Sequence, residues 1–314
     1  MSCPVRISEP RERQCIMEEK FKSSDETLKQ LVTARREQVV RLQKSQAEQL
    51  KDVETRGRAR LLEIKKTLPK ETAAVLNALE KTHSKAVAAT ELHVEAVMAK
   101  LVTSAPSPES ETAIHPGLAG GHLVAPSSLG WFTPYYGILH NWDGSIIWQG
   151  YYPGNIDLGI TCNGSGSGIF GTGACEGTVV MDWWFSYLAP NNRNYGHTIW
   201  VPFHGFYILY SDDGFWDSKQ AHARMDLSAV GYQYNYKAAG STNVFDLNSQ
   251  NINVNDRFDG WRTMYYSDLL GADRAYLRVS ASFYVYARGG GSTAQLNFAA
   301  GDANYMGVPW VYVD

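Results

Sequence analysis

Tryptophan and aspartate stand side by side at Trp142-Asp143 and Trp216-Asp217 of this 314-residue chain, and two residues apart at Asp259 and Trp261. Two of these pairs sit in acidic, turn-like stretches, Asp212-Asp213-Gly214-Phe215-Trp216-Asp217 and Asp256-Arg257-Phe258-Asp259-Gly260-Trp261. An indole offers a flat apolar surface, and a neighbouring carboxylate accepts hydrogen bonds. A sugar ring needs both, since it presents a C–H face and a rim of hydroxyls. Trp142, Asp143, Trp216, Asp217, Asp259 and Trp261 are therefore the expected ligand-binding residues, and a surface glycan or a protein receptor the expected ligand. Eight aromatic residues, Trp142 among them, crowd the segment from Trp131 to Tyr152, and most rings of such a set must pack a core or an interface.

Other chemistry is thinly supported. Oxygen ligands cluster at Asp212, Asp213 and Asp217, and at Asn253, Asn255, Asp256 and Asp259, as calcium prefers. Neither cluster completes an EF-hand loop, so Asp212, Asp213 and Asp256 are weak calcium candidates and no other cofactor is expected. The loop from Asn163 to Ala174 is glycine-rich but lacks the Lys-Ser/Thr pair of a phosphate loop. His140, His197, His204 and His222 are scattered, with no nucleophile elbow, so no catalytic triad assembles. Among enzyme activities, glycoside hydrolysis by a carboxylate pair such as Asp182 and Asp213 would fit best. The expectation is a protein without catalytic residues.

Charge and aromaticity divide the chain. The net charge is −3, but residues 1–102 carry 20 Lys+Arg against 15 Asp+Glu, and the remainder 9 against 17. All 9 Trp and all 18 Tyr lie beyond residue 130. An acidic, lysine-poor C-terminal part argues against nucleic acid, which needs a basic surface. The four cysteines are too few for a disulfide framework. The start, MSCPVRISEPRERQ, has no apolar core of a Sec signal, and no stretch of membrane-spanning length is both continuously apolar and free of charge. A protein that is cytoplasmic, or released or particle-assembled without a Sec signal, is expected, with Cys162 and Cys175 as free thiols.

The elements that must position the aromatic residues are β-strands. In 275–287, Leu277, Val279, Ala281, Phe283 and Val285 alternate with Arg278, Ser280, Ser282, Tyr284 and Tyr286, which predicts one buried and one exposed face. Strands are also expected at 178–188, 198–210, 228–237 and 307–313, with a hairpin turning at Asn141–Gly144. Pro202 requires an edge or bulge, and Gly205 suggests a bend. Together these predict an antiparallel, jelly-roll-like β-sandwich over 118–314.

Before it, helix formers dominate. Aliphatic residues recur at eleven-residue spacing, Leu31, Leu42, Val53, Ile64, Val75, Ala86 and Val97 in one row, and Leu28, Val39, Leu50 and Leu61 in another, which passes through Thr72 and His83 and recovers at Val94, with Leu79 in a third. Eleven residues per three turns is about 3.67 per turn, which keeps a row on one helix face. The domain plan is an irregular 1–16, a hendecad-like coiled-coil stalk over 17–102 kinked near Pro69, a Pro/Ser/Glu linker at 103–117 and the sandwich. Function follows as a homo-oligomer, taken as a trimer, whose stalk presents the heads multivalently. The alternative is a structural or pore-forming assembly, in which the heads pack into a ring or shell or contact a membrane.

Overall fold

The structure, a computed structural model, describes residues 25–104, 122–124, 132–138, 143–149, 155–168, 171–212, 219–234, 236–300 and 304–314. The chain runs through α1 (Glu26–Thr67), α2 (Lys70–Thr103), β1 (His122–Val124), β2 (Phe132–Ile138), β3 (Asp143–Gln149), β4 (Asn155–Asn163) and β5 (Ser165–Gly168). It continues through β6 (Gly171–Leu188), β7 (Arg193–Ser211), β8 (Gln220–Gln233), β9 (Tyr236–Ser249) and β10 (Ile252–Leu270). It closes with β11 (Arg274–Arg288), β12 (Thr293–Phe298), β13 (Tyr305–Gly307) and β14 (Val311–Val313).

Two antiparallel sheets face one another. The larger runs β1-β14-β7-β12-β4-β13, with β10 along the free edge of β7 and β3 beside β4. The smaller runs β2-β6-β11-β8-β9, with β5 on β6. Strand β11 lies at its centre, pairing Ala281 with Met181 on one side and Leu227 on the other. The predicted alternation holds there: Leu277, Val279, Ala281, Phe283 and Val285 all point into the core. They meet Val179, Met181, Trp183 and Phe185 of the same sheet, and Ile160, Val201, Phe203, Leu296 and Phe298 of the other. The second phase of β11 behaves differently along its length. Tyr276, Arg278 and Ser280 are buried as well, between the exposed Arg274 and the half-buried Ser282, from which outward residues again see solvent.

Helix α1 explains that change. Asp25 caps it by accepting a hydrogen bond from Leu28 N at 3.1 Å, and the same carboxylate accepts from the Tyr276 hydroxyl at 3.0 Å. Leu28 and Val32 then pack on Trp184 and Tyr276, on the outer face of the smaller sheet. Helix α2 does the corresponding work on the larger sheet, where Val94, Val97 and Leu101 pack on Phe206 and Ile208 of β7. Arg257 donates to the Ser104 carbonyl at 3.1 Å, and its Nε meets Asp259 Oδ2 at 2.6 Å. His204 Nδ1 lies 3.5 Å from Asp259 Oδ1.

Several expectations are revised by these contacts. The stalk does not stand clear of the head, since turns near both of its ends pack on the sheets, and no long coiled coil is shown among the described residues. Leu28 and Val39 are buried, while Leu31, Val94 and Val97 pack partly against the sheets. Leu42 (57%), Ile64 (40%) and Val75 (60%) remain exposed. Leu50, Val53, Leu61 and Leu79 belong to the helices, but their side chains lie outside the described residues. Leu68 and Pro69 both take extended backbone conformations, so the helix is interrupted there. Residues 1–16 and most of the 103–117 linker fall outside the described set.

Within the sandwich, Asp143-Gly144 opens β3 instead of turning a hairpin, since β2 and β3 belong to different sheets. The expected strand 228–237 divides: Tyr234 takes φ 51° in the turn between β8 and β9. Pro202 falls between the residues of β7 that pair with β14 and those that pair with β13, where a missing N–H is tolerated. Gly205 does not bend β7. It admits a neighbour, because a Cβ there would lie 2.5 Å from the Asn297 carbonyl oxygen.

Cys162 and Cys175 are not free thiols. They form a disulfide joining β4 of one sheet to β6 of the other inside the core, with Cα atoms 5.3 Å apart. Sequence alone could not decide this, because pairing depends on which sheets the two strands join. Closing a loop of 13 residues restricts the unfolded chain by about 3 kcal/mol. Reduction, or Cys162→Ser, is expected to lower the melting temperature by roughly 6–12 °C in calorimetry. An unchanged midpoint on reduction would refute the crosslink.

Candidate functional site

The sequence-derived ligand residues do not converge among the described residues. Trp142, Trp216, Asp217 and Asp213 lie outside them, as does the Asp143 side chain. Trp261 is half-buried on β10, opposite Pro202 of β7. Asp259 is occupied by Arg257 and His204 and by Gly205 N–H at 3.2 Å. Burial alone would raise its pKa, but the bonds from His204 and Arg257 outweigh this and hold it at about 2. It is an anchor for the α2 end. Asp212 is held by Lys219, and Asp256 accepts from Arg257 N at 2.8 Å. Among the described residues no three His, Cys, Asp or Glu side chains gather to hold a metal. Asp182, the hydrolase candidate, is buried beneath α1, where Arg35 and Ser280 bind it.

The convergence lies instead on the outer face of the smaller sheet, past the point where α1 leaves it. Cross-strand register builds this face row by row. Ser282 stands between Val180 and Asp226, Tyr284 between Thr178 and Arg224, and Tyr286 between Glu176 and His222. Asp246 and Asn248 extend the last rows onto β9. All of them point away from the core, for the same reason that Phe283 and Val285 point into it.

The polar groups on this face hold one another in place. Arg224 forms a two-pronged pair with Asp226, Nε to Oδ2 at 2.6 Å and a terminal nitrogen to Oδ1 at 3.0 Å. Asn243 Nδ2 also donates to Asp226 Oδ1, at 2.9 Å. His222 Nε2 meets Asp246 Oδ1 at 2.8 Å, and its ring stands edge-on to Tyr284 with centroids 5.0 Å apart. Gln220 Nε2 donates to Asn248 Oδ1 at 2.6 Å. Lone pairs and N–H groups remain on several of these side chains for a ligand, since each carboxylate and amide has more bonding positions than it uses here.

Glu176 is the least comfortable member. It is half-buried, and burial raises its pKa more than the hydroxyl of Tyr284 lowers it. Burial also raises the pKa of Tyr284, reinforced by the charge of Glu176, and raises that of Tyr286. Both phenols therefore remain protonated donors at any ordinary pH. The result is a half-open strip with two tyrosine rings, carboxylates, an imidazole and amides along one sheet face. Such a strip can stack an apolar ring face and bond hydroxyls, without a separate cofactor. Sequence reading identified Tyr284 and Tyr286 as outward-facing but not Glu176, Asp226, His222 or Asp246. These reach the strip only through strand pairing, for which no local signal exists.

No known family model matches the chain, and no curated protein does. Among solved structures it is similar to TmCBM61 in complex with β-1,4-galactotriose, at 7% identity, covering 56% of this chain and 88% of that one, with a TM-score of 0.22. It is also similar to CBM4, at 8% identity over 52% of this chain and 87% of that one, with a TM-score of 0.17. A third is the enzymatically active domain of tailspike protein 4 of bacteriophage CBA120, at 8% identity over 55% of this chain and 20% of that one, with a TM-score of 0.15.

A raised carboxyl pKa has a definite signature in stability. Below the ordinary glutamate value of 4.5 the group is protonated in folded and unfolded chains alike, and its charge costs nothing. As pH rises through the folded-state value, stability is lost to the buried charge. Glu176→Gln is therefore expected to be more stable than the parent at pH 7, with the difference vanishing below pH 4.5. Urea denaturation at both pH values measures this, and equal stabilities at pH 7 would contradict it.

Proposed function

We propose that the chain is a non-enzymatic saccharide-binding protein, whose β-sandwich receives a glycan along the outer face of its smaller sheet. The observation that carries this reading is the row holding Tyr284, Tyr286 and Glu176, with Asp226, His222 and Asp246 alongside. A sandwich face that served only solvation would need neither paired phenols nor a half-buried carboxylate kept at a cost in stability. Stacking supplies affinity, and the fixed carboxylates and amides select the hydroxyl pattern. Nothing in the strip calls for turnover: Asp226 and Asp246 are engaged by Arg224 and His222, so neither stands as a free acid or nucleophile. The Cys162–Cys175 disulfide supports a working location outside a reducing cytosol.

Self-association belongs to the same proposal. The aliphatic positions left exposed, Leu42, Leu62, Ile64 and Val75, lie in the middle stretch of the helices, between the turns that dock on the head. Joining several copies there would convert weak single-site binding into useful avidity.

Glycan arrays followed by calorimetry test the first part. Tyr284→Ala or Tyr286→Ala is expected to weaken binding about tenfold, the worth of one stacked ring. No reducing ends should accumulate during incubation with the bound glycan. Binding indifferent to both substitutions, or accumulating sugar ends, would refute the reading. Sedimentation of the full chain tests the second part: Leu42→Lys with Val75→Lys is expected to reduce the particle to single chains, and an unaltered mass would remove the helices from assembly.

A further inference from the structure

The outer face of the smaller sheet does not end where α1 begins. Beneath the first four turns of the helix the same rows continue, with Asp182 beside Ser280, Trp184 beside Arg278 and Tyr232 beside Tyr276. Their composition matches that of the open strip: aromatic rings, a carboxylate and a guanidinium on one face. The Trp184 and Tyr232 rings are stacked, with centroids 5.8 Å apart.

Helix α1 satisfies this surface incompletely. Its apolar contribution is Leu28 and Val32, set against Trp184 and Tyr276, with Leu31 and Tyr232 at the margin. Its polar contribution is Arg35, whose Nε reaches Asp182 Oδ2 at 3.2 Å, and Asp25, which receives the Tyr276 hydroxyl. Two donors are left over. Trp184 Nε1 is buried and meets no acceptor among the described residues. The same holds for Arg278 Nε, which lies 3.9 Å from Asp182 Oδ1, beyond hydrogen-bond reach. Buried donors are almost always satisfied in a settled interface. Leu28 and Val32 carry no side-chain oxygen to offer, whereas a saccharide presents several.

The hold of the helix is also short. Among the described residues its buried positions are Leu28, Val32 and Val39, and the described side chains from Arg41 to the end of α1 are exposed. Releasing about four turns would uncover the whole surface. A chain of sugars lying along the open rows of Tyr286, Tyr284 and Ser282 would run directly toward the helix.

We propose that the saccharide site extends under α1, where Trp184, Tyr232, Tyr276, Asp182 and Arg278 form a second stretch of it, and that α1 is a displaceable cover with which a longer sugar chain competes. This rests on the reading of the open strip as a saccharide site. A short ligand fits the open rows and leaves the helix seated. A long one must lift it, gaining acceptors for the Trp184 and Arg278 donors while losing the Arg35–Asp182 and Asp25–Tyr276 bonds.

The test uses the full chain and cello- and malto-oligosaccharides of three and seven units as probes. In Leu28→Gln with Arg35→Glu the cover is loosened, which acrylamide quenching of Trp184 fluorescence reports, with Trp184→Phe as reference. That variant is expected to bind the seven-unit chain of whichever series binds about tenfold more tightly than the parent, and the three-unit chain equally well. Adding Trp184→Ala should abolish the gain. A parallel measurement needs no variant: hydrogen exchange over residues 26–39 of the parent should accelerate with the seven-unit chain and not with the three-unit chain. Unchanged exchange, or unchanged affinity for seven units once Trp184 is accessible to quencher, would overturn the covered stretch and leave the open strip standing. Failure of parent and variant to bind either length of either series would overturn both.

Discussion

A two-sheet sandwich has four faces, and only two of them can be joined in a core. The other two must be wetted, covered or used, and this requirement governs the whole molecule. The aromatic content makes wetting alone an insufficient answer: Phe206 and Ile208 on one outer face, and Trp184 and Tyr276 on the other, are too apolar to be left in water. The N-terminal helices resolve it, one to each outer face. Where α1 lies on β11 both faces of the strand are buried, and where it departs the ordinary alternation of buried and half-exposed residues resumes. The candidate site is the remainder, the part of an outer face that the helix does not reach.

The two helices answer the requirement with unequal thoroughness. At the α2 end the apolar contact is closed by a connected polar group: Ser104 carbonyl, Arg257, Asp259, His204 and Asn304, whose amide oxygen receives Arg257 at 2.8 Å. Every charge there has an opposite partner within reach, which favours a single fixed arrangement. Under α1 the polar accounting does not close, since the Trp184 indole N–H and the Arg278 Nε meet no hydrogen-bond acceptor among the described residues. Two helices drawn from one repetitive sequence thus make interfaces of different character, and the difference resides in the sheet residues they meet.

This bears on what was legible in the sequence. The alternation at 275–287 told correctly which residues of β11 face inward, because period two is a local property of one strand. It could not tell that Ser280 would be buried under a helix while Ser282, two residues on, would not. The eleven-residue rows were real, but a row of aliphatic side chains does not name its partner. A second helix and a flat sheet both accept Leu28, Val32 and Val39, and the rows divide between docked ends and an exposed middle. The Trp-Asp pairs drew attention through closeness in sequence, which does not say what else each side chain meets in the fold. Asp259 turned inward to an arginine and a histidine. The residues that do share a face, Glu176, His222 and Tyr286, are separated by 46 and 64 positions along the chain and meet only through register.

The disulfide shows the same limit from the opposite side. Cys162 and Cys175 bracket a glycine-rich segment, which suggests at most a closed loop. Their placement on β4 and β6 makes the bond a link between the sheets, in the layer shared by Ile160, Val179 and Phe283. Crosslinking there restrains the shift of β6, the strand that carries Glu176, against β4 of the other sheet. Glu176 follows Cys175 directly in β6, so the crosslink faces the core at one residue and the carboxylate faces outward at the next. A site assembled from strand pairing alone depends on such a restraint, because a slip of one residue would exchange every outward side chain for an inward one.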